Sequence, residues 1–338
     1  MRVLLLAVCG VLLAAMVDIE MAYGEESLIW DPKGLVADDA LEVLWEEGGF
    51  TEGAAVGPGG AMYFSDFAQP FDARPARIMK FDPASGNTTI HCADSKMGNG
   101  LMFTRDGRLL ACCASPLGGA RALVEITPDG NVKPIQERFN GKRFNSPNDL
   151  VIARDGTVFF TDPKYVGPEE LELDGFYVYK MTTDGKVSIA TTEIDKPNGI
   201  VLSPDQRSIY IAETDNGSAK ADLEEGFKPG RMTLNMFRLK DGELSRRRVL
   251  HDFGDQTGVD GMTVDRDGRV YAAVRSSEDF GLWIFSPKGK VLAKIKTPTL
   301  PTNCSFGKSD EAKRLYITAG GGFYRIRMNT SGYHPAID

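Results

Sequence analysis

The chain has 338 residues, of which 42% are hydrophobic and 25% charged, and its formal net charge is −8. This composition is typical of a globular protein with two average domains or one large all-β domain. The acidic balance argues against a nucleic-acid partner, which would need a basic face, and fits a protein that acts on small molecules.

The first 24 residues have the features of a secretory signal peptide. One Arg precedes an unbroken apolar run over residues 3–16, and the small residues at positions 22 and 24 fit a cleavage point before Glu25. The run is short for a membrane span, and an uncleaved anchor is the alternative interpretation. We therefore expect a single domain over residues 25–338 that is exported to the periplasm or secreted, with no membrane partner after cleavage.

Six segments of the remaining chain fall into register with one another. Each has a polar residue, usually a small residue, an apolar strand, a turn and a second apolar strand. The segments begin at Glu52, Asn99, Asn148, Asn198, Asp260 and Asn303, with spacings of 47, 49, 50, 62 and 43 residues. Three of the turns contain Asp-Gly, which is a strong hairpin signal between apolar runs.

A second hairpin recurs between these segments, as in ALVEITPDGNVKPIQ and FYVYKMTTDGKVSIA. One repeat therefore holds four short strands, and amphipathic helices are essentially absent. Six such units predict an all-β, six-bladed β-propeller of four-stranded blades. The last unit lacks a fourth strand, which ALEVLWEEG at residues 40–48 can supply, so that an N-terminal strand closes the ring. An open sandwich or two β domains are the alternatives.

The polar residues that open the six segments are expected to meet at one mouth of the central channel, because the innermost strand of each blade lines it. They comprise two carboxylates and four carboxamides, without His or Cys. Hard oxygen donors around one centre suit Ca²⁺, or less tightly Mg²⁺ or Mn²⁺, with Zn²⁺ as second choice. Asn-Gly pairs are common in ordinary turns, but a turn role does not explain Glu52 at the same register.

Five stretches together carry a likeness to a known family: EGAAVGPGGAMYFSD, RFNSPNDLVIARDGTVFFTDPKY, KPNGIVLSPD, GVDGMTVDRDG and PTNCSFGKSDEAKRLYITA. They resemble the SMP-30/gluconolactonase/LRE-like family, and most closely its bacterial gluconolactonase branch, over residues 40–328. The resemblance implies a six-bladed propeller with one catalytic divalent metal on its axis, although members differ in the cation they use. The family's metal ligands match Glu52, Asn148, Asn198 and Asp260. The equivalents of Asn99 and Asn303 are not required as ligands, which leaves both as substrate-binding candidates.

The function that follows is metal-dependent hydrolysis of a sugar lactone, such as glucono-1,5-lactone, to the aldonic acid. The metal would polarise the lactone carbonyl and activate a water. Asp260 is the candidate general base, and the Asn148 amide could donate to the substrate or to the developing oxyanion. Two alternatives stay open, namely a phosphotriesterase-like hydrolase on the same metal site and a non-catalytic binding module with a structural axial ion.

The other chemistry-bearing residues fit structural roles. His91, His251 and His334 do not open an inner strand, and no Gly-x-Ser-x-Gly motif occurs, so a Ser-His-Asp triad is not expected. The cysteines after the leader are expected to be buried thiols, with one bridge through Cys92 left open. The longest spacing falls on residues 214–231, which are either a lid over the channel or a surface loop.

Overall fold

The computed structural model describes residues 28–216 and 230–338, and within these ranges it contains 28 β-strands and two short 3-10 helices. The first half of the strands are β1 (Ile29–Trp30), β2 (Glu42–Trp45), β3 (Phe50–Val56), β4 (Met62–Phe67), β5 (Arg77–Asp82), β6 (Asn87–Cys92), β7 (Gly98–Phe103), β8 (Leu109–Cys113), β9 (Ala122–Ile126), β10 (Val132–Gln136), β11 (Arg138–Phe139), β12 (Lys142–Arg143), β13 (Leu150–Ile152) and β14 (Val158–Asp162).

The second half are β15 (Tyr177–Met181), β16 (Val187–Thr191), β17 (Pro197–Leu202), β18 (Ser208–Thr214), β19 (Met232–Lys240), β20 (Glu243–Asp252), β21 (Val259–Asp265), β22 (Val270–Val274), β23 (Gly281–Phe285), β24 (Val291–Ile295), β25 (Pro301–Phe306), β26 (Arg314–Ala319), β27 (Gly322–Arg327) and β28 (Gly332–Tyr333). The 3-10 helices are Pro116–Gly118 and Ser309–Glu311. No helix in the described ranges has the length and apolar character that crossing a membrane would require.

The strands form six antiparallel blades, which confirms the predicted six-bladed propeller. Blades 1 to 5 are β3–β6, β7–β10, β13–β16, β17–β20 and β21–β24, and blade 6 combines β25–β27 with β2. Each innermost strand contacts that of the next blade, and β25 returns to β3, so the ring closes. The N-terminal strand β2 pairs with β27, with Glu42 opposite Arg325, as the pattern of residues 40–48 predicted.

Three short additions were not predicted. Strand β1 extends the outer edge of blade 5, where Ile29 lies opposite Ile295. Strand β28 pairs with the inner strand β21, and β11 and β12 form a separate hairpin between blades 2 and 3. Strands of two residues carry no recognisable periodicity, so the sequence could not reveal them.

The hydrophobic core is divided into six clusters, and each lies between two neighbouring blades. The cluster between blades 5 and 6, for example, joins Tyr271 and Ile284 to Phe306 and Leu315. Burying both faces of every blade explains why strands such as β8 and β14 are buried at every residue and largely apolar. Cys92, Cys112, Cys113 and Cys304 are buried, free thiols, so the bridge left open for Cys92 is absent.

Residues 332–338 cover the end of the channel where the inner strands finish. Side chains from His334 to Ile337 border a small cavity with the ends of β3 and β7. Tyr333 Oη accepts hydrogen bonds from Arg154 Nη2 at 2.9 Å and Gln206 Nε2 at 3.1 Å. The C-terminal segment therefore joins blades 3 and 4 beneath the channel. The predicted signal peptide, residues 1–24, and most of the predicted lid, residues 214–231, lie outside the described residues.

Candidate functional site

Irregular pairing in the inner strands positions the predicted polar side chains. The register between β3 and β4 shifts between Glu52 and Ala55, and that between β21 and β22 shifts between Val259 and Met262. Strands β7, β17 and β25 have equivalent shifts at their first residues. A β-bulge leaves an extra residue unpaired and re-aims its side chain. The recurring polar residue thus lies within a bulge in β7, β17 and β21 and next to one in β3 and β25, at the same end of each strand.

The glycine that follows four of the six polar residues is explained by the close approach of adjacent inner strands. A Cβ on Gly53, whose φ is +48°, would overlap the carbonyl oxygen of Asn99. A Cβ on Gly199 would likewise overlap the carbonyl oxygen of Asp260. Only glycine permits this spacing near the channel axis. The polar-small pairs that repeat along the sequence are therefore requirements of the ring.

Five of the six predicted site residues line one cavity of about 230 Å³ at this mouth. They are Glu52, Asn99, Asn148, Asn198 and Asp260. Asn303 is not brought to the cavity. Its side chain fills the space beside Gly261, and its Oδ1 accepts a hydrogen bond from Cys304 N at 2.8 Å.

The two carboxylates of the cavity are buried and disfavour each other's charge. Burial, together with the negative charge of Asp260, raises the pKa of Glu52 well above its ordinary value, while a hydrogen bond from Gly53 N at 3.1 Å opposes the rise. Burial also raises the pKa of Asp260, which the charge of Arg275 partly offsets. The Arg275 Nη1 donates to Asp260 Oδ2 at 3.2 Å. Two buried carboxylates in one cavity create a demand for positive charge that one arginine meets only in part.

One further polar atom of the cavity, Oδ1 of Asn198, is buried without a hydrogen-bond partner among the described residues. Leaving such a group unsatisfied costs about 1–3 kcal/mol, so its retention points to a ligand that it contacts. Oδ1 of Asn198 is an oxygen donor of the kind that hard cations bind.

The donor set fits a hard divalent cation. Residues 28–216 and 230–338 contain no group of three or more His, Cys, Asp or Glu side chains suited to a metal. A cation in this cavity would therefore depend on amide oxygens beside the carboxylates of Glu52 and Asp260. Such an all-oxygen set suits Ca²⁺ or Mg²⁺ better than Zn²⁺, which prefers nitrogen and sulfur ligands.

The structure adds cavity residues that the repeat did not identify. Tyr165 and Arg275 follow the second strands of blades 3 and 5, and both line the cavity. Because the second strand is antiparallel to the first, its end reaches the mouth where the first begins. The sequence could therefore have indicated Tyr165 and Arg275, since the residues after the second strand of every blade are brought to the same mouth.

Two buried charged residues support the cavity from outside its lining. Lys196 is almost fully buried, with its Nζ 3.0 Å from Asn216 Oδ1 and 4.6 Å from the centre of the Tyr165 ring. This contact holds the Tyr165 ring beside Asn198. The carboxylate of Asp149 accepts a hydrogen bond from Leu150 N at 2.8 Å, and burial raises its pKa to about 7.

The histidines take structural positions, as the sequence predicted, and none of them lines the cavity. His91 packs against Tyr63, and His251 packs against the Trp283 ring. His334 is half-buried, with its Nε2 3.1 Å from the carbonyl oxygen of Gly307.

Comparison with known proteins agrees with this geometry. Residues 50–321 match the sequence model of the SMP-30/Gluconolactonase/LRE-like region. A gluconolactonase of Zymomonas mobilis is 28% identical over 320 residues, which cover 87% of this chain and 81% of that protein.

Solved structures show the same fold. A gluconolactonase of Xanthomonas campestris superposes with a TM-score of 0.73 at 28% identity, covering 87% of this chain and 92% of that one. The calcium-binding protein regucalcin of Agrobacterium tumefaciens superposes with a TM-score of 0.69 at 21% identity, covering 88% of this chain and 97% of that one. At this lower identity the similarity concerns the fold.

Proposed function

The chain belongs to the SMP-30/gluconolactonase/LRE-like family, and from that premise we propose that it hydrolyses a sugar lactone to the aldonic acid, with glucono-1,5-lactone as the reference substrate. Relatives at 28% identity are gluconolactonases. The observation that carries the proposal is the meeting of Glu52, Asn198 and Asp260 in one buried cavity. These residues are distant in sequence, and Oδ1 of Asn198 is buried without a hydrogen-bond partner among the described residues.

One divalent cation would be held by Glu52, Asn148, Asn198 and Asp260. Ca²⁺ is our first choice, because every donor is an oxygen, and Mg²⁺, Mn²⁺ and Zn²⁺ are the alternatives. When bound, the cation supplies Lewis-acid polarisation of a carbonyl group and lowers the pKa of a water molecule. It would also relieve the repulsion between the two carboxylates. That repulsion, together with burial, raises the pKa of Glu52.

The residues of the cavity supply the remaining functions. Asp260 accepts a proton from the attacking water, and Arg275, 3.2 Å away, fixes the orientation of its carboxylate. The Asn148 amide donates to the oxyanion that develops on the carbonyl oxygen. A bond forms between the water oxygen and the carbonyl carbon, the ring carbon–oxygen bond breaks, and the proton passes to the departing ring oxygen. One lactone and one water thus give one hydroxy acid.

The test is an activity screen on aldonolactones with chelated protein, to which Ca²⁺, Mg²⁺, Mn²⁺ and Zn²⁺ are returned in turn. We expect chelation to abolish hydrolysis of glucono-1,5-lactone and one cation to restore it. A phosphotriester assayed in parallel separates the two hydrolase activities. Hydrolysis of neither compound in the presence of any cation would contradict the proposal and favour a non-catalytic binding module.

A further inference from the structure

The wall of the cavity is chemically asymmetric. Blades 4 and 5 contribute polar side chains to it, namely Asn198, Thr214, Asn216, Thr257, Asp260 and Arg275. Blades 1 and 2 contribute Glu52 and Asn99 together with an apolar surface, which we call the aromatic wall: Phe50, Phe67, Phe71, Met97, Ala114 and Pro116. A monosaccharide lactone can place the C–H face of its ring on one aromatic side chain, but it has no extended apolar group that would cover the whole of such a surface.

Three phenylalanines form the centre of the aromatic wall. The ring centre of Phe50 lies 6.3 Å from that of Phe67 and 6.3 Å from that of Phe71. The rings of Phe67 and Phe71 are 6.2 Å apart. This mutual packing fixes the rings as a preorganised surface.

The aromatic wall lies outside the six large clusters of the propeller core. Phe67 and Ala76 of blade 1 form a small cluster with Met97 at the start of blade 2, and Phe50 and Phe71 pack on it while partly exposed. Because these two rings are only partly buried, part of their apolar surface faces the cavity and can contact a ligand.

The apolar surface continues outward at the mouth of the cavity. Val166, which also lines the cavity, is 45% exposed. Leu117, 55% exposed, borders a second hollow that shares Phe71 and Met97 with the cavity. Exposed apolar surface continuous with a binding cavity commonly marks the place where a ligand lies.

We infer that the lactone accepted by this site carries an apolar substituent, an alkyl or aryl group, that lies on the aromatic wall while its ring reaches Asp260. This inference rests on the proposed lactone hydrolysis and specifies its substrate class. Each methylene group that lies on the aromatic wall should improve binding about threefold. This gain is somewhat smaller than that of a fully buried methylene group, because one side of the alkyl group stays exposed.

The test measures kcat/KM for δ-valerolactone, δ-hexalactone, δ-octalactone and δ-decalactone, which share one ring and differ in the length of the alkyl group. We expect kcat/KM to rise with chain length in the natural protein. In Phe71→Ala the rise of kcat/KM with chain length should be reduced by at least half. Ile90→Ala is the matched control, because Ile90 is an exposed apolar side chain on the outer strand of the same blade.

A binding measurement separates this inference from the proposed reaction. Calorimetric titration with δ-lactams that carry the same alkyl groups reports affinity without turnover. Affinity that rises with chain length, and rises less in Phe71→Ala, supports the inference even if no lactone is hydrolysed. The inference is overturned if glucono-1,5-lactone is hydrolysed but neither kcat/KM nor affinity depends on the length of the alkyl group. It is also overturned if the dependence is the same in the natural protein and in Phe71→Ala. Either result leaves the proposed reaction intact.

Discussion

Glu52 of blade 1 and Asp260 of blade 5 are buried in the same cavity, and the negative charge of Asp260 helps to raise the pKa of Glu52. This arrangement lowers the stability of the folded chain unless positive charge is supplied. Arg275 supplies part of it to Asp260, but no hydrogen bond from an arginine or lysine reaches Glu52 among the described residues. Two buried carboxylates that destabilise the folded chain are typical of a functional site, where stability is lost in exchange for activity.

The first prediction concerns Glu52→Gln. The substitution removes one buried charge and keeps an acceptor for Gly53 N, so the chelated protein should become more stable by about 1–3 kcal/mol. Lactone hydrolysis should be lost, and added Ca²⁺ should no longer raise the melting temperature. Thermal unfolding of both proteins with chelator and with Ca²⁺ provides the measurement. A variant less stable than the natural protein in chelator would show that the Glu52 charge is not a source of repulsion.

The second prediction assigns the general base. Asp260→Asn retains an oxygen to accept from Arg275 but loses the proton-accepting carboxylate, so kcat should fall about 10³-fold. The assay requires saturating cation, and a separate cation titration shows whether binding has been lost as well. Full activity of Asp260→Asn would remove Asp260 from this role.

A third prediction tests the bulge that positions Glu52. The left-handed conformation of Gly53, with φ +48°, and the nearby carbonyl oxygen of Asn99 leave no room for a Cβ. Gly53→Ala should therefore reduce the free energy of unfolding by about 2–4 kcal/mol and impair lactone hydrolysis. Gly59→Ala is a suitable control, because a Cβ there has no neighbouring atom within 4 Å. Similar urea midpoints for the two variants would contradict the steric explanation.

The fourth prediction is a pH effect at the opposite end of the channel. Burial lowers the pKa of His334. A base whose pKa is lower in the folded than in the unfolded state contributes stability above its unfolded pKa, and that stability is lost as the pH falls. The protein should therefore lose stability as the pH falls below about 6.5, the ordinary histidine pKa.

His334→Gln should reduce this loss, as measured by urea unfolding at pH 8 and pH 5. His91→Gln is the comparison, since burial also lowers the pKa of His91, but this residue lies on the outer strand of blade 1 and not in the C-terminal segment. A larger effect at His91 would show that the C-terminal segment is not the acid-sensitive part.

Much of the fold could be predicted because one pattern repeats along the chain. Six copies of a polar residue followed by two apolar strands identified the blades, and the unpaired last blade identified the closing strand at residues 40–48. Strands β1 and β28 and the C-terminal segment do not repeat, so only their contacts in the folded chain define them.

The alignment of the six segments predicted which residues open the inner strands, but it could not predict the direction in which each side chain points. Asn303 occupies the same register as Asn198, yet its side chain fills the space left by Gly261 instead of lining the cavity. Arg275 and Tyr165 were missed because they vary between repeats and are united only by following a second strand. The aromatic wall was missed for a similar reason, since its residues come from loops and strand ends of two blades.

The most direct test of the central claim is a titration of chelated protein with Ca²⁺ while hydrolysis of glucono-1,5-lactone is followed. Our account predicts that activity rises in proportion to occupancy of one site per chain. It also predicts that Glu52→Gln and Asn198→Ala weaken binding at least tenfold and abolish the activity. Full hydrolysis by the chelated natural protein, or unchanged cation binding in both variants, would contradict it.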